Sequence, residues 1–129
     1  MSGAVATELS GWGRTMPTVA RLVDAHSETQ ISELIKDADS RGVLARGLGR
    51  SYGDAAQSGG ATVIDMTTMT GFRLDADNMS VTADAGASID EILRQIVPRG
   101  FFVPVSAGTR IITVGGAIAG DIHGQNHHR

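Results

Sequence analysis

Glycine sets the strongest limit on what this chain can become. It holds 17 glycines against 3 prolines in 129 residues, gathered at 42–60 and 108–124 rather than spread evenly. A residue without Cβ enters left-handed backbone at little cost and lets another group approach the main chain closely. The two clusters therefore mark two places where the chain must turn sharply or come very near something else. Regular elements have to be fitted around them.

Residues 1–26 read as an irregular segment, because "GWGRTMPTVA" mixes turn formers with the only tryptophan, Trp12. Ser27 with Gln30 then forms a capping box. Ile31, Leu34, Ile35 and Ala38 recur at helical spacing, which predicts an amphipathic helix over 28–39. "VLAR" (43–46) is a short buried strand, and "GLGRSYGDAAQSGG" follows it as a long loop. "ATVIDM" is the next strand, and "FRLDA" and "SVTADA" flank Asp77-Asn78 as a hairpin. A second capping box, Ser88 with Glu91, opens a helix with Ile89, Ile92, Leu93 and Ile96 on one face, ended by Pro98 and Gly100. "FFVPV" is a strand or an extended segment, and the remainder is the second glycine stretch. The expected architecture is α+β: short strands, two flanking helices and two glycine-rich loops. The organisation expected is an N-terminal segment, 1–26, followed by one domain over 27–129.

The first loop has the chemistry of an anion nest. Gly47, Gly49 and Gly53 can take positive φ and turn successive N–H groups one way, and Arg46 and Arg50 can add charge-assisted hydrogen bonds. A P-loop is excluded, because no Gly-Lys-Ser/Thr follows the glycines. A Rossmann turn is excluded too, because "SYGDAAQSGG" has no helical period. The bland alternative is a flexible surface loop. In the second stretch, Thr113 caps a short helix containing Gly115, Gly116, Ala117 and Ala119. Small residues there admit a flat or bulky ligand, and the helix N-terminus favours an anion. Its bland alternative is a helix packed tightly on a sheet.

Three histidines, His123, His127 and His128, close the sequence. His123 and His127 are four apart, as in helical zinc sites, but Gly124 and Asn126 oppose a helix and no carboxylate sits at a matching offset. The open readings are a metal site, an exposed tail, or His123 facing a bound cofactor. With no metal reading preferred, the expected metal is none. His26 reads as solvated. No G-x-S-x-G elbow accompanies Ser51, so no hydrolase triad is expected. Asp75, Asp77 and Asp84 read as a solvated hairpin edge. The absence of cysteine removes disulfides and thiol chemistry. A net charge of -3 without a basic stripe argues against nucleic acid. No apolar run approaches the roughly 20 residues of a membrane span. With no signal-like N-terminus, a cytoplasmic location is expected.

Together these stretches resemble the FAD-binding domain of the vanillyl-alcohol oxidase superfamily, the PCMH-type fold. "RGLGRSYGD" resembles that family's first pyrophosphate loop, and "GTRIITVGGAIAGDIHG" its second, with a His-Gly beside the flavin. "GWGRT", "ARGLGRSYGD", "VIDMT", "SAGTR", "TVGGAIA" and "DIHGQNHH" are similar, in order, to the branch that oxidises decaprenylphosphoryl ribose in cell-wall arabinan biosynthesis. The resemblance implies that Arg46, Gly47, Leu48, Gly49, Arg50, Ser51 and Tyr52 hold the FAD pyrophosphate. It implies that Gly108, Thr109, Thr113, Val114, Gly115, Gly116 and Ala117 line the flavin and its ribityl chain. It places His123 and Gly124 near the ring, with Trp12 and Met66 touching the cofactor. Relatives with covalent flavin carry histidine where Arg50 stands, so noncovalent FAD is expected. Gln125 replaces a lysine of that branch. The resemblance further implies a sugar substrate in a complete enzyme, a link to the cell envelope, and an absent C-terminal half or self-association, so that the first lobe of the FAD domain is inactive alone.

Overall fold

A computed structural model describes residues 3–124. The chain divides into two compact units, residues 1–69 and 70–129.

The N-terminal unit is a four-stranded sheet in the order β1-β2-β4-β3. Its strands are β1 (Val5–Leu9), β2 (Thr18–Asp24), β3 (Val43–Arg46) and β4 (Thr62–Asp65). β1 runs antiparallel to β2, while β2 and β3 both lie parallel to β4. β4 is thus paired on both sides, and Thr62, Val63 and Ile64 are all buried, as a strand covered by parallel neighbours requires. Leu9, Ala20 and Val63 form the core, with Leu22 and Leu44 packed against it.

The segment expected to be irregular, 1–26, therefore holds two strands, β1 and β2. These escape the sequence pattern because Arg21 and Asp24 interrupt β2 and alanine stands at its buried centre. Arg21 finds its partner 41 residues away, donating from Nη2 to Thr62 Oγ1 at 2.6 Å. Helix α1 is Glu28–Lys36, shorter than the expected 28–39 because Asp37 caps it. Ser27 Oγ accepts from Gln30 N as the capping box predicts, while Gln30 Oε1 accepts from His26 N at 2.7 Å, one residue before the cap. "ATVIDM" ends as a strand at Asp65, whose carboxylate accepts from Thr67 N at 2.8 Å and opens a short 3-10 turn, Met66–Thr68.

Parallel neighbours need a crossover, usually a helix. Between β3 and β4 the crossover is instead the glycine loop itself, 47–61, with no helix in it. This agrees with the exclusion of a Rossmann turn.

The C-terminal unit is built on the hairpin β5 (Phe72–Asp75) and β6 (Ser80–Ala83), with α2 (Ile89–Ile96) and α3 (Val114–Ala119). Ala87, Ile92 and Ile96 form its core, packed by Phe72, Leu74, Val81 and Phe101 among others. Ser88 Oγ accepts from Glu91 N at 3.0 Å, as its capping box predicts. α2 closes through a 3-10 turn at Val97–Arg99 onto Gly100, whose φ of 86° only glycine adopts freely. "FFVPV" joins no strand ladder and bends at Pro104 and Val105, with Phe101 and Val103 against the core.

Candidate functional site

The N-terminal unit carries a cleft of about 510 Å³ lined by Ser10, Gly11, Trp12, Arg14, Arg46, Leu48, Gly49 and Arg50. Two segments make it, the turn after β1 and the loop after β3, and they are locked together by backbone. Trp12 N donates to Ser51 O at 2.9 Å. A Cβ on Gly11 would stand 2.1 Å from Gly53 O and 2.9 Å from Ser51 O. Glycine there is a condition of the two segments meeting at all.

The three arginines of the cleft are held differently. Arg46 donates from Nη1 to Ala56 O at 2.6 Å and from Nη2 to Ser10 O at 2.9 Å, bracing the loop against the end of β1. Burial pushes its pKa down, with the charge of Asp65 opposing. Gly49 has φ of 66°, a backbone conformation that demands glycine, and a Cβ there would displace the end of the Arg46 side chain, whose Nη2 lies 2.4 Å away. Arg50 donates to Leu48 O at 2.9 Å and lies over the Trp12 ring, 5.1 Å from its centroid, within cation–π range. Arg14 has positive φ, 54°, and its guanidinium has no hydrogen-bond or ion-pair partner among the described residues. No carboxylate lines the cleft. Such a surface attracts an anion and repels a cation.

Of the residues expected here, the cleft gathers Trp12, Arg46, Leu48, Gly49 and Arg50. It does not gather Gly47, Ser51, Tyr52 or Met66. Tyr52 stands out from the loop, 84% exposed. Met66 starts the 3-10 turn beyond β4. Positive φ falls at Gly49 and Gly53 but not at Gly47. Sequence reasoning missed Ser10, Gly11 and Arg14, although "GWGR" is itself the signal: a turn, with Arg14 N donating to Gly11 O at 3.0 Å.

The second glycine stretch is organised inward. Thr113, 3% exposed, caps α3 by accepting from Gly116 N at 3.0 Å. Val114 N donates to Ala87 O at 2.9 Å and Gly115 N to Ala85 O at 2.8 Å. The first N–H groups of α3 are thus satisfied by protein, and the expectation of an anion at this helix N-terminus is corrected. Gly115 also sits close to its neighbour, since a Cβ would lie 3.1 Å from both Ala85 Cβ and Ala85 O. Gly108, Thr109 and Gly116 are exposed, and Ala117 is half-buried. Arg110 Nε lies 2.5 Å from Asp90 Oδ1, and Arg94 Nε 2.8 Å from Asp90 Oδ2, tying the 108–110 bend to α2. The hydrogen bond from Arg94, helped by the charges of Arg94 and Arg110, holds the Asp90 carboxyl below its ordinary range.

α3 closes in a Schellman arrangement. Asp121 N donates to Ile118 O at 3.1 Å and Ile122 N to Ala117 O at 3.0 Å, with Asp121 at φ of 45° where glycine is usual. His123 follows, exposed, with Nδ1 3.3 Å from Asp121 O; when Nδ1 carries the proton, Nε2 is the acceptor. Gly124 is half-buried. Gln125, His127 and His128 lie outside the described residues. Among the described residues no three His, Asp or Glu side chains lie together as a metal would require.

Residues 19–129 match the family described as FAD binding domain. The chain belongs to this FAD-binding family. FAD is accordingly its cofactor. Decaprenylphosphoryl-β-D-ribose oxidase of Mycolicibacterium smegmatis is 49% identical over 124 residues, covering 93% of this chain and 27% of the relative. The chain thus spans about a quarter of that protein's length. A solvent-stable cholesterol oxidase superposes with a TM-score of 0.77 at 21% identity, over 92% of this chain and 24% of the other. Alkyldihydroxyacetonephosphate synthase does so with 0.68 at 18%, over 83% and 22%. These likenesses agree with the α+β PCMH-type architecture.

Proposed function

We propose that this FAD-binding chain is the cofactor-holding portion of an oxidoreductase that acts on a sugar hydroxyl, with decaprenylphosphoryl ribose as the substrate class. The observation that carries the cofactor reading is the cleft: three cations, no carboxylate, and a backbone held close by Gly11 and Gly49. The substrate reading is supported by the identity to the mycobacterial oxidase. When bound, the flavin accepts a hydride from the carbon that bears the hydroxyl.

The chain's own residues bind and orient. Arg46 shapes the first loop through its two carbonyl contacts, Arg50 and Trp12 form one wall, and Gly49 would let the diphosphate approach the loop backbone. Gly47, Ser51 and Tyr52 shape or flank the same loop, and Met66 stands beyond β4. In the C-terminal unit, Gly108, Thr109, Gly116 and Ala117 offer the surface without large side chains that suits a flat ring. Thr113, Val114 and Gly115 hold that surface in place from beneath. His123 and Gly124 would lie near the flavin, where the His123 imidazole could accept or donate a proton. Arg50 cannot form a covalent bond to flavin, so FAD is held noncovalently.

Activity resides in a longer assembly. The hairpin of β5 and β6 has no third strand among the described residues. It borders an apolar groove of about 390 Å³ that includes Leu74, Val81, Phe101 and Phe102. α2 already packs on this hairpin, and the apolar groove that remains open favours further polypeptide on this face, from a C-terminal half or a second copy. Among the described residues no helix is long and apolar enough to cross a membrane. A polyprenyl-phosphate sugar would be met at the cytoplasmic face of the cell envelope.

The test is direct. The purified chain incubated with FAD and desalted should retain flavin absorbance and release it all on acid precipitation. A protein that stays colourless and gains no thermal stability from FAD would overturn the reading. Flavin that remains in the precipitate would overturn its noncovalent part.

A further inference from the structure

The three arginines of the cleft divide by what already holds them. Arg46 has two backbone carbonyls, and Arg50 has one together with the Trp12 ring. Arg14 alone lines the cleft with a guanidinium that no described residue engages. Its backbone makes the placement more telling. Arg14 sits at φ of 54°, and Met16, two residues on, at 50°. Non-glycine residues rarely adopt this region, and they persist there only when their surroundings enforce it.

The surroundings do enforce it, from both sides. Arg14 N donates to Gly11 O at 3.0 Å, closing the turn. Gly11 is pressed against Gly53 O, and Trp12 N is bonded to Ser51 O. On the far side Gln57, 8% exposed, donates from Nε2 to Met16 O at 2.8 Å and to Thr18 Oγ1 at 3.3 Å. A strained turn, fixed at both ends to the glycine loop, thus puts an unpaired cation into a cleft that already holds two. With no carboxylate in the lining, an anion entering the cleft would relieve the like charges.

We propose that Arg14 is a ligand-contacting residue for the diphosphate of the dinucleotide, the cation that closes the cleft opposite the glycine loop, with Gln57 as the residue that positions its turn. The proposal rests on the FAD reading above. Arg14 is the cleft arginine whose donors are all available to the ligand, whereas Arg46 acts through loop geometry.

The test uses the whole chain and two variants of one position. Arg14→Gly removes the charge and frees the turn from strain, so folding is kept or improved. Arg14→Gln removes the charge and keeps a long side chain. Dissociation constants for FAD and for ADP should rise about tenfold in both, the scale of one charge-assisted hydrogen bond, while the thermal midpoint of Arg14→Gly does not fall. The gap between wild type and variants should narrow in high salt, as a charge effect must. Unchanged ADP affinity in Arg14→Gly would overturn the proposal while leaving FAD binding intact. A loss seen for ribose 5-phosphate but not ADP would also overturn it, assigning Arg14 to a substrate phosphate. Wild-type protein that binds neither FAD nor ADP would overturn the FAD reading and this proposal together.

Discussion

The two glycine-rich stretches look alike in sequence and do opposite things. In 47–61 the glycines bring two backbone segments together and leave a charged cleft between them. In 108–124 the glycine at 115 lets α3 settle on Ala85, and the leading N–H groups of that helix are satisfied by Ala87, Ala85 and Thr113. Close approach is the common requirement. What approaches is the Gly53 and Ser51 backbone at Gly11 in the first case, with an open charged cleft left beside it, and Ala85 at Gly115 in the second. A glycine cluster therefore signals proximity, and only the hydrogen-bond accounting around it tells which partner is meant.

The contrast breaks most sharply at Gly11. A methyl there meets backbone oxygen at 2.1 Å, and neither segment can yield without losing the Trp12–Ser51 bond. Gly11→Ala should cost about 3 kcal/mol in stability and abolish ADP binding, read by chemical denaturation and equilibrium dialysis. Gly115→Ala meets Ala85 at 3.1 Å, a clash that small shifts relieve, and alanine restores helix propensity. It should destabilise by about 1 kcal/mol and leave ADP affinity unchanged. Equal losses of ADP binding in the two variants would erase the distinction.

Much of the fold is legible in the sequence, for local reasons. Both capping boxes, the helix faces of α1 and α2 and the β5–β6 hairpin depend on residues within a few positions of one another. What is hidden depends on distant partners. β2 is a strand because Arg21 is satisfied by Thr62 and its alanine packs on Val63, neither visible from 18–24 alone. The site divides likewise. Arg46, Gly49 and Arg50 stand out by type and spacing, but the brace role of Arg46 needs Ser10 and Ala56. Arg14 enters only once the turn after β1 is seen against the loop.

Smaller effects sharpen the second stretch. Asp121 occupies a left-handed position at the end of α3, so Asp121→Gly should stabilise the C-terminal unit by about 1 kcal/mol, visible as a raised thermal midpoint. The smallest effect concerns pH. The folded Asp90 carboxyl titrates below its ordinary range because of Arg94 and Arg110. Its contribution is therefore complete above the unfolded carboxylate value of about 3.9 and is lost as pH falls through the lower folded value. Asp90→Asn should flatten the acid limb of the stability profile; a profile identical to wild type would show that this bridge contributes nothing.

Trp12 is the only tryptophan in the chain, and it lines the cleft beneath Arg50. Its emission therefore reports on the first glycine site. Titrating the protein with ADP, which carries the diphosphate without the flavin, should give a saturable change in Trp12 fluorescence that weakens as salt is added. Emission that stays constant at every ADP concentration, in a protein that is folded, would contradict the assignment of this cleft to the dinucleotide.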